Sequence, residues 1–270
     1  MATQDRPIVT IEARVLDSMN RYLDVNELDG REVMTGLNRR QRVNDPEHPD
    51  AFMEFVVAPA DDGETSHPSG IVLSYDHPDC PLLIPPGRQL SLTHIGLFID
   101  KVAMTFPLEP MTWDEMQGEY RRVVAQLDQA GWVRSSGRHT PSQGVKEDIT
   151  YDDFLDKTGP KWAGVGFWEQ CDNPAIKAEF QIKHYNGTSP GSFMPPAALS
   201  EPLDPGAEDT FLFHISIAAD YRSPVERELT RLRDARRAEV NGRTDAEIPL
   251  SVWLDDPDWR PEDWDGIYVP

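Results

Sequence analysis

His94-Ile95-Gly96-Leu97-Phe98-Ile99-Asp100 in the first half of the chain has a counterpart in the second, His214-Ile215-Ser216-Ile217-Ala218-Ala219-Asp220. Each run is apolar and reads as a strand. Each is preceded upstream by a proline pair, Pro85-Pro86 and Pro195-Pro196, and followed by a helical pattern. After the first run, Thr112 is a good N-cap and Glu115 stands three residues on, which completes a capping box. Trp113, Met116, Tyr120, Val123, Val124 and Leu127 then recur at helical spacing, and Gly131 closes the pattern. After the second run, Ser223-Pro224 gives a cap and a first-turn proline. Val225, Leu229, Leu232 and Ala235 form the apolar stripe, and Gly242 ends it.

Further strands are expected at Ile8 to Leu16, Phe52 to Ala58 and Ile71 to Tyr75 in the first half. In the second half, Trp162 to Glu169 and Ile176 to Tyr185 read as a hairpin turning at Asp172-Asn173-Pro174. Asp29 to Arg42 reads as a short helix or a loop. Pro59 to Gly70, Arg134 to Thr150 and Asn186 to Asp209 read as connections. Pro85-Pro86-Gly87 reads as a break before the strand Leu90 to Ile99. With Ile8 to Leu16 standing ahead of it in the first half, the order strand, strand, strand, helix is common to both. The expected fold is α+β: two pseudo-repeated βββα units, residues 1–158 and 159–270, as two units or one compact double unit. Each unit is a mostly antiparallel sheet with a helix on one face, and a groove between them is the natural binding place.

Composition narrows the function classes. The 270 residues carry 47 Asp and Glu against 26 Lys and Arg, a formal net charge of −21. Such a chain is repelled by phosphates and by anionic membranes, so neither nucleic acid nor a membrane surface is an expected partner. Acidic surfaces attract basic proteins, and they also serve solubility alone. No run approaches the roughly 20 apolar residues of a membrane span. Met1 to Pro7 lacks the parts of a secretory leader, which implies the cytoplasm, or the periplasm if a leader has been removed.

Motifs for chemistry are scarce. The sequence shows no nucleophile elbow, phosphate loop or dinucleotide fingerprint, and no cofactor is expected. Cys80 and Cys171 lie far apart and outside any CxxC pair, which excludes a structural zinc site made of thiolates. They form either one disulfide or two buried thiols. Asp76-His77-Pro78-Asp79-Cys80 packs metal-capable side chains closely, but one short run supplies too few ligands without help from elsewhere. His94, His184 and His214 all lie in expected strands. They are either packed sheet residues or the basis of a metal-dependent enzyme.

The C-terminal stretch is the candidate interface. Asp255, Asp256, Asp258, Glu262, Asp263 and Asp265 interleave with Trp259 and Trp264, a pattern suited to a basic groove on a partner. The alternative is that the tryptophans staple the tail to the body, helped by Arg227, Arg231, Arg233, Arg236 and Arg237 on the preceding helix.

Leu92-Thr93-His94-Ile95-Gly96 and Pro110-Met111-Thr112-Trp113-Asp114-Glu115-Met116 look like stretches of immunity proteins associated with type VI secretion. The resemblance covers mainly residues 85–132. It implies a non-enzymatic, stoichiometric inhibitor that blocks a cognate toxin or effector, and it does not identify that toxin's activity. A structural component of a bacterial assembly is a third reading.

Overall fold

The computed structural model describes residues 8–27, 53–56, 70–95, 98–135, 145–150, 153, 162–185, 210–220, 222–256, 258–264 and 266. The expected elements within 29–42, 59–69, 136–144 and 186–209 lie outside these residues, as does Asp265.

Among the described residues, ten strands form two sheets. They are β1 (Ile8–Glu12), β2 (Met53–Val56), β3 (Gly70–Tyr75), β4 (Leu82–Gly87), β5 (Gln89–Ile95), β6 (Phe98–Met111), β7 (Val133–Ser135), β8 (Trp162–Glu169), β9 (Ile176–Tyr185) and β10 (Thr210–Ala219). The helices are α1 (Met19–Val25), α2 (Trp113–Gln129), α3 (Pro224–Asn241) and α4 (Leu250–Asp255). The large sheet has the order β2-β5-β6-β10-β9-β8-β7, and every neighbouring pair in it is antiparallel. The small sheet has the order β1-β3-β4, with β1 parallel to β3. The protein is therefore α+β with mainly antiparallel sheets.

β2-β5-β6 is one antiparallel run of three strands, with β3 and β4 of the small sheet inserted between β2 and β5, and β8-β9-β10 is a consecutive run; β6 and β10 are followed directly by helices, α2 and α3. The third strands, β6 and β10, pair at the centre. The halves 1–158 and 159–270 thus share one continuous sheet. Their seam is closed by ladder hydrogen bonds rather than opened as a groove.

Two expectations need correction. Leu90 to Ile99 is not one strand: it crosses a hairpin from β5 into β6, which continues to Met111. The matched runs His94 to Asp100 and His214 to Asp220 therefore occupy different places, a hairpin and a single strand. Pro85-Pro86 is not a break either, because both lie within β4. The register against β3 shifts there, from Leu73↔Ile84 to Ile71↔Gly87, and such an irregularity absorbs residues that cannot donate to a ladder. At Gly87 the chain passes directly into β5, and Arg88 N–H donates to the Thr105 carbonyl at 3.0 Å.

The core lies on the face of the large sheet carrying Leu90, Leu92, Val102, Met104, Phe106, Phe180, Ile182, Phe211 and Phe213, all buried. α2 covers part of this face. Its capping box is formed as expected, Thr112 N–H donating to Glu115 at 2.9 Å. Its buried stripe is Met116, Tyr120, Val123, Val124 and Leu127, and Trp113 meets Phe211 edge to face at 5.3 Å. α3 has the expected Ser223 cap and N-terminal proline, ends on left-handed Gly242, and contacts β5 and β6.

Gly87 is where β4 presses closest on β6. A Cβ there would sit 2.5 Å from the Thr105 carbonyl oxygen and 2.8 Å from Phe106 Cβ, atoms fixed by the ladder. Gly87→Ala is expected to cost about 1–3 kcal/mol, as overpacking does. Urea denaturation monitored by tryptophan fluorescence measures it.

Candidate functional sites

The three strand histidines do not meet. His184 lies across from Phe211 on the core face, with ring centroids 5.7 Å apart. His214 is paired with Gln181 on β9, and its odd spacing from Phe211 puts it on the opposite face. His94 sits opposite Ile99 near the start of β6, whereas Phe211 pairs with Met111 at its end. His94 and His184 thus occupy opposite ends of the core face. Each is the penultimate residue of its strand, β5 or β9. A metal site on these three residues is overturned by this register.

His214 Nδ1 lies 3.2 Å from the Thr105 hydroxyl. Burial, then Lys183 and Lys101, hold its pKa well below the usual histidine range, so it is neutral at physiological pH. Burial, reinforced by Lys101, also pulls Lys183 down to about 8. Between that value and the ordinary lysine pKa, the unfolded chain holds a proton that the folded lysine has released, so stability rises with pH. Below about 8 the cost of the buried charge is fully present. Relative to Lys183→Met, the wild type should gain about 1–3 kcal/mol between pH 7 and 10.5, read from denaturant midpoints.

The C-terminal tail is stapled. Trp253 is buried at the core and meets Trp259 edge to face at 6.3 Å. The Arg236 guanidinium lies 4.8 Å over the Trp259 ring and 3.4 Å from Asp256. Trp264 stacks on Phe98 at 6.1 Å, and Arg231 lies 5.7 Å over the same indole while pairing with Asp263 at 3.2 Å. Asn20 donates to Asp258 at 3.3 Å. Trp259 and Trp264 thus pack against the body, where arginines of α3 and the Phe98 ring meet them. Asp255, Asp256, Asp258, Glu262 and Asp263 remain exposed.

A groove of about 470 Å³ opens at the other end of β6. Pro85, Phe106, Pro107, Met111 and Phe213 floor it, with Glu115, Glu119 and Arg122 on its rim. Glu119 pairs with Arg122 at 2.7 Å and Glu115 caps α2, so these rim charges are already engaged.

The second cluster was only half legible. The turn after β3 places His77 and Cys80 beside Cys171 and Asp172 from the β8–β9 turn. Cys80 and Cys171 are joined as a disulfide, so of the two states the sequence allowed, the bonded one is found. His77 is buried. Its Nδ1 lies 3.2 Å from Cys80 Sγ and 3.9 Å from Cys171 Sγ, and its Nε2 lies 3.3 Å from Asp172. Gln170 donates to Asp172 at 2.8 Å and accepts from the Tyr75 hydroxyl at 2.6 Å. Trp132 Nε1 donates to the Cys80 carbonyl at 3.1 Å. No local spacing links residues 77–80 to 171–172; only the docking of one hairpin turn on another does.

What these features define is an α+β protein with a tethered pair of hairpins and an anchored acidic tail. No family model matches the chain, and neither a curated protein nor a solved structure does. Among the described residues, no helix is long and apolar enough to cross a membrane.

The disulfide spans 91 residues of chain. Replacing both cysteines by alanine should cost about 2–5 kcal/mol, chiefly through a freer unfolded chain. Denaturant titration of the variant against the oxidised wild type checks this.

Proposed function

We propose that the protein is an immunity protein, binding a basic toxin or effector stoichiometrically and blocking it. The observation that carries this reading is the anchored tail. Five exposed carboxylates, at Asp255, Asp256, Asp258, Glu262 and Asp263, are displayed on a segment fixed by indole packing and by Arg231 and Arg236. An acidic array held in place loses less entropy on docking than a free tail, and its field speeds encounter with a basic surface. The net charge of −21 adds to that field. The partner contacts are the carboxylates; the tryptophans set their positions from behind. The resemblance of residues 85–132 to type VI immunity proteins favours a toxin as the partner.

The test begins with co-expression of the chain and the products of its flanking genes. One product should be toxic alone, harmless with this chain, and bound to it one to one. A variant carrying Asp255→Asn, Asp258→Asn and Glu262→Gln, which keeps the Arg236–Asp256 and Arg231–Asp263 pairs that anchor the tail, should fold normally. It should associate at least about ten-fold more slowly at low salt, with a flatter salt dependence. If no flanking product is toxic or bound, the immunity reading fails. If binding occurs and the variant binds unchanged, the tail is not the interface.

A further inference from the structure

We propose that, once the Cys80–Cys171 bond is reduced, His77, Cys80 and Cys171 bind a thiophilic divalent cation, zinc foremost, with Asp172 holding the imidazole in place. The ligating atoms of these four residues already lie within 4.8 Å of one another. Two thiolates and an imidazole are the donor set zinc prefers, and a site with three protein ligands leaves its fourth position to water.

The polarity of the histidine fits. Nδ1 faces both sulfurs, at 3.2 and 3.9 Å, and Nε2 faces Asp172 at 3.3 Å. A carboxylate on the far ring nitrogen fixes the tautomer that leaves the near nitrogen's lone pair for a metal. The backbone N–H groups of Asp79 and Cys80 now approach Nδ1 at 3.3 Å, long contacts that a metal bond would replace. Asp172 is in turn held by Gln170, itself held by the buried Tyr75 hydroxyl. The Cys171 N–H reaches Cys80 Sγ at 3.4 Å, a contact that favours thiolate charge. Cys80 is fully buried while the Asp172 carboxylate is half exposed, so the cluster has a closed floor and an open mouth.

The chemistry balances. Two external thiols reduce the protein disulfide to two cysteine thiols and leave as their own disulfide. The cation then replaces the two thiol protons, which pass to solvent. Either state ties the β3–β4 turn to the β8–β9 turn, by a covalent bond or through the metal.

The test uses the full chain reduced with a phosphine and titrated anaerobically with Co²⁺, then Zn²⁺. Expected are one Co²⁺ per chain with intense thiolate-to-cobalt charge-transfer absorption, its displacement by Zn²⁺, and a higher Tm for the zinc-loaded than for the metal-free reduced protein. The oxidised protein should show none of these. Cys171→Ser should lose the charge-transfer band, and Asp172→Asn, a surface change, should weaken zinc about 10–100-fold. The inference is overturned if the reduced protein gives no stoichiometric band, or is unfolded by circular dichroism even with the cation present. Undiminished zinc affinity in Asp172→Asn or Cys171→Ser would equally overturn it.

Discussion

The antiparallel pairing of β6 with β10 is the constraint on which the remainder depends. It joins two three-stranded antiparallel runs into one sheet and sets the register that decides which side chains face the core. Because side chains alternate with a period of two, that register puts Phe211, Phe213, Ile215 and Ile217 inward and His214 outward. α2 follows β6 and α3 follows β10, so the same seam fixes where both helices begin. The small sheet is bound to the large one through Gly87, where β4 runs into β5 close against β6.

Around this frame, charge is handled in two ways. Arg231 and Arg236 each lie over an indole and pair with a carboxylate of the tail, so the same guanidinium supplies packing and neutralisation. The remaining carboxylates stay on the surface. On the sheet face opposite the core, Lys183 and His214 stand together, and burial drives both toward their neutral forms. The exposed acidity can thus serve an encounter with a partner without destabilising the core.

Of the four helices among the described residues, α2 and α3 were legible because their signals are local. Thr112 with Glu115, and Ser223 with Pro224, satisfy orphan donors within one turn, whatever packs on the helix. The strand β10 was legible as a buried apolar run. β4 and the length of β6 were not, because Pro85, Pro86, Pro107 and Pro110 imitate breaks. Only a partner strand with a shifted register shows how the proline pair of β4 fits. The repeated His-Ile letters misled for a related reason. Similar strand composition arises at a hairpin and in a mid-sheet strand alike.

By itself the sequence determined the α+β class, the ends of α2 and α3 and the net negative charge, since these rest on composition and on contacts a few residues apart. The tertiary structure decided the rest. It closed the seam between the halves with hydrogen bonds and parted His94, His184 and His214. It also turned Trp259 and Trp264 toward the body and brought Cys171 and Asp172 to His77 and Cys80. Each of these depends on sheet register or on the docking of one turn against another, and no spacing along the chain encodes which distant residues such docking will bring within bonding distance.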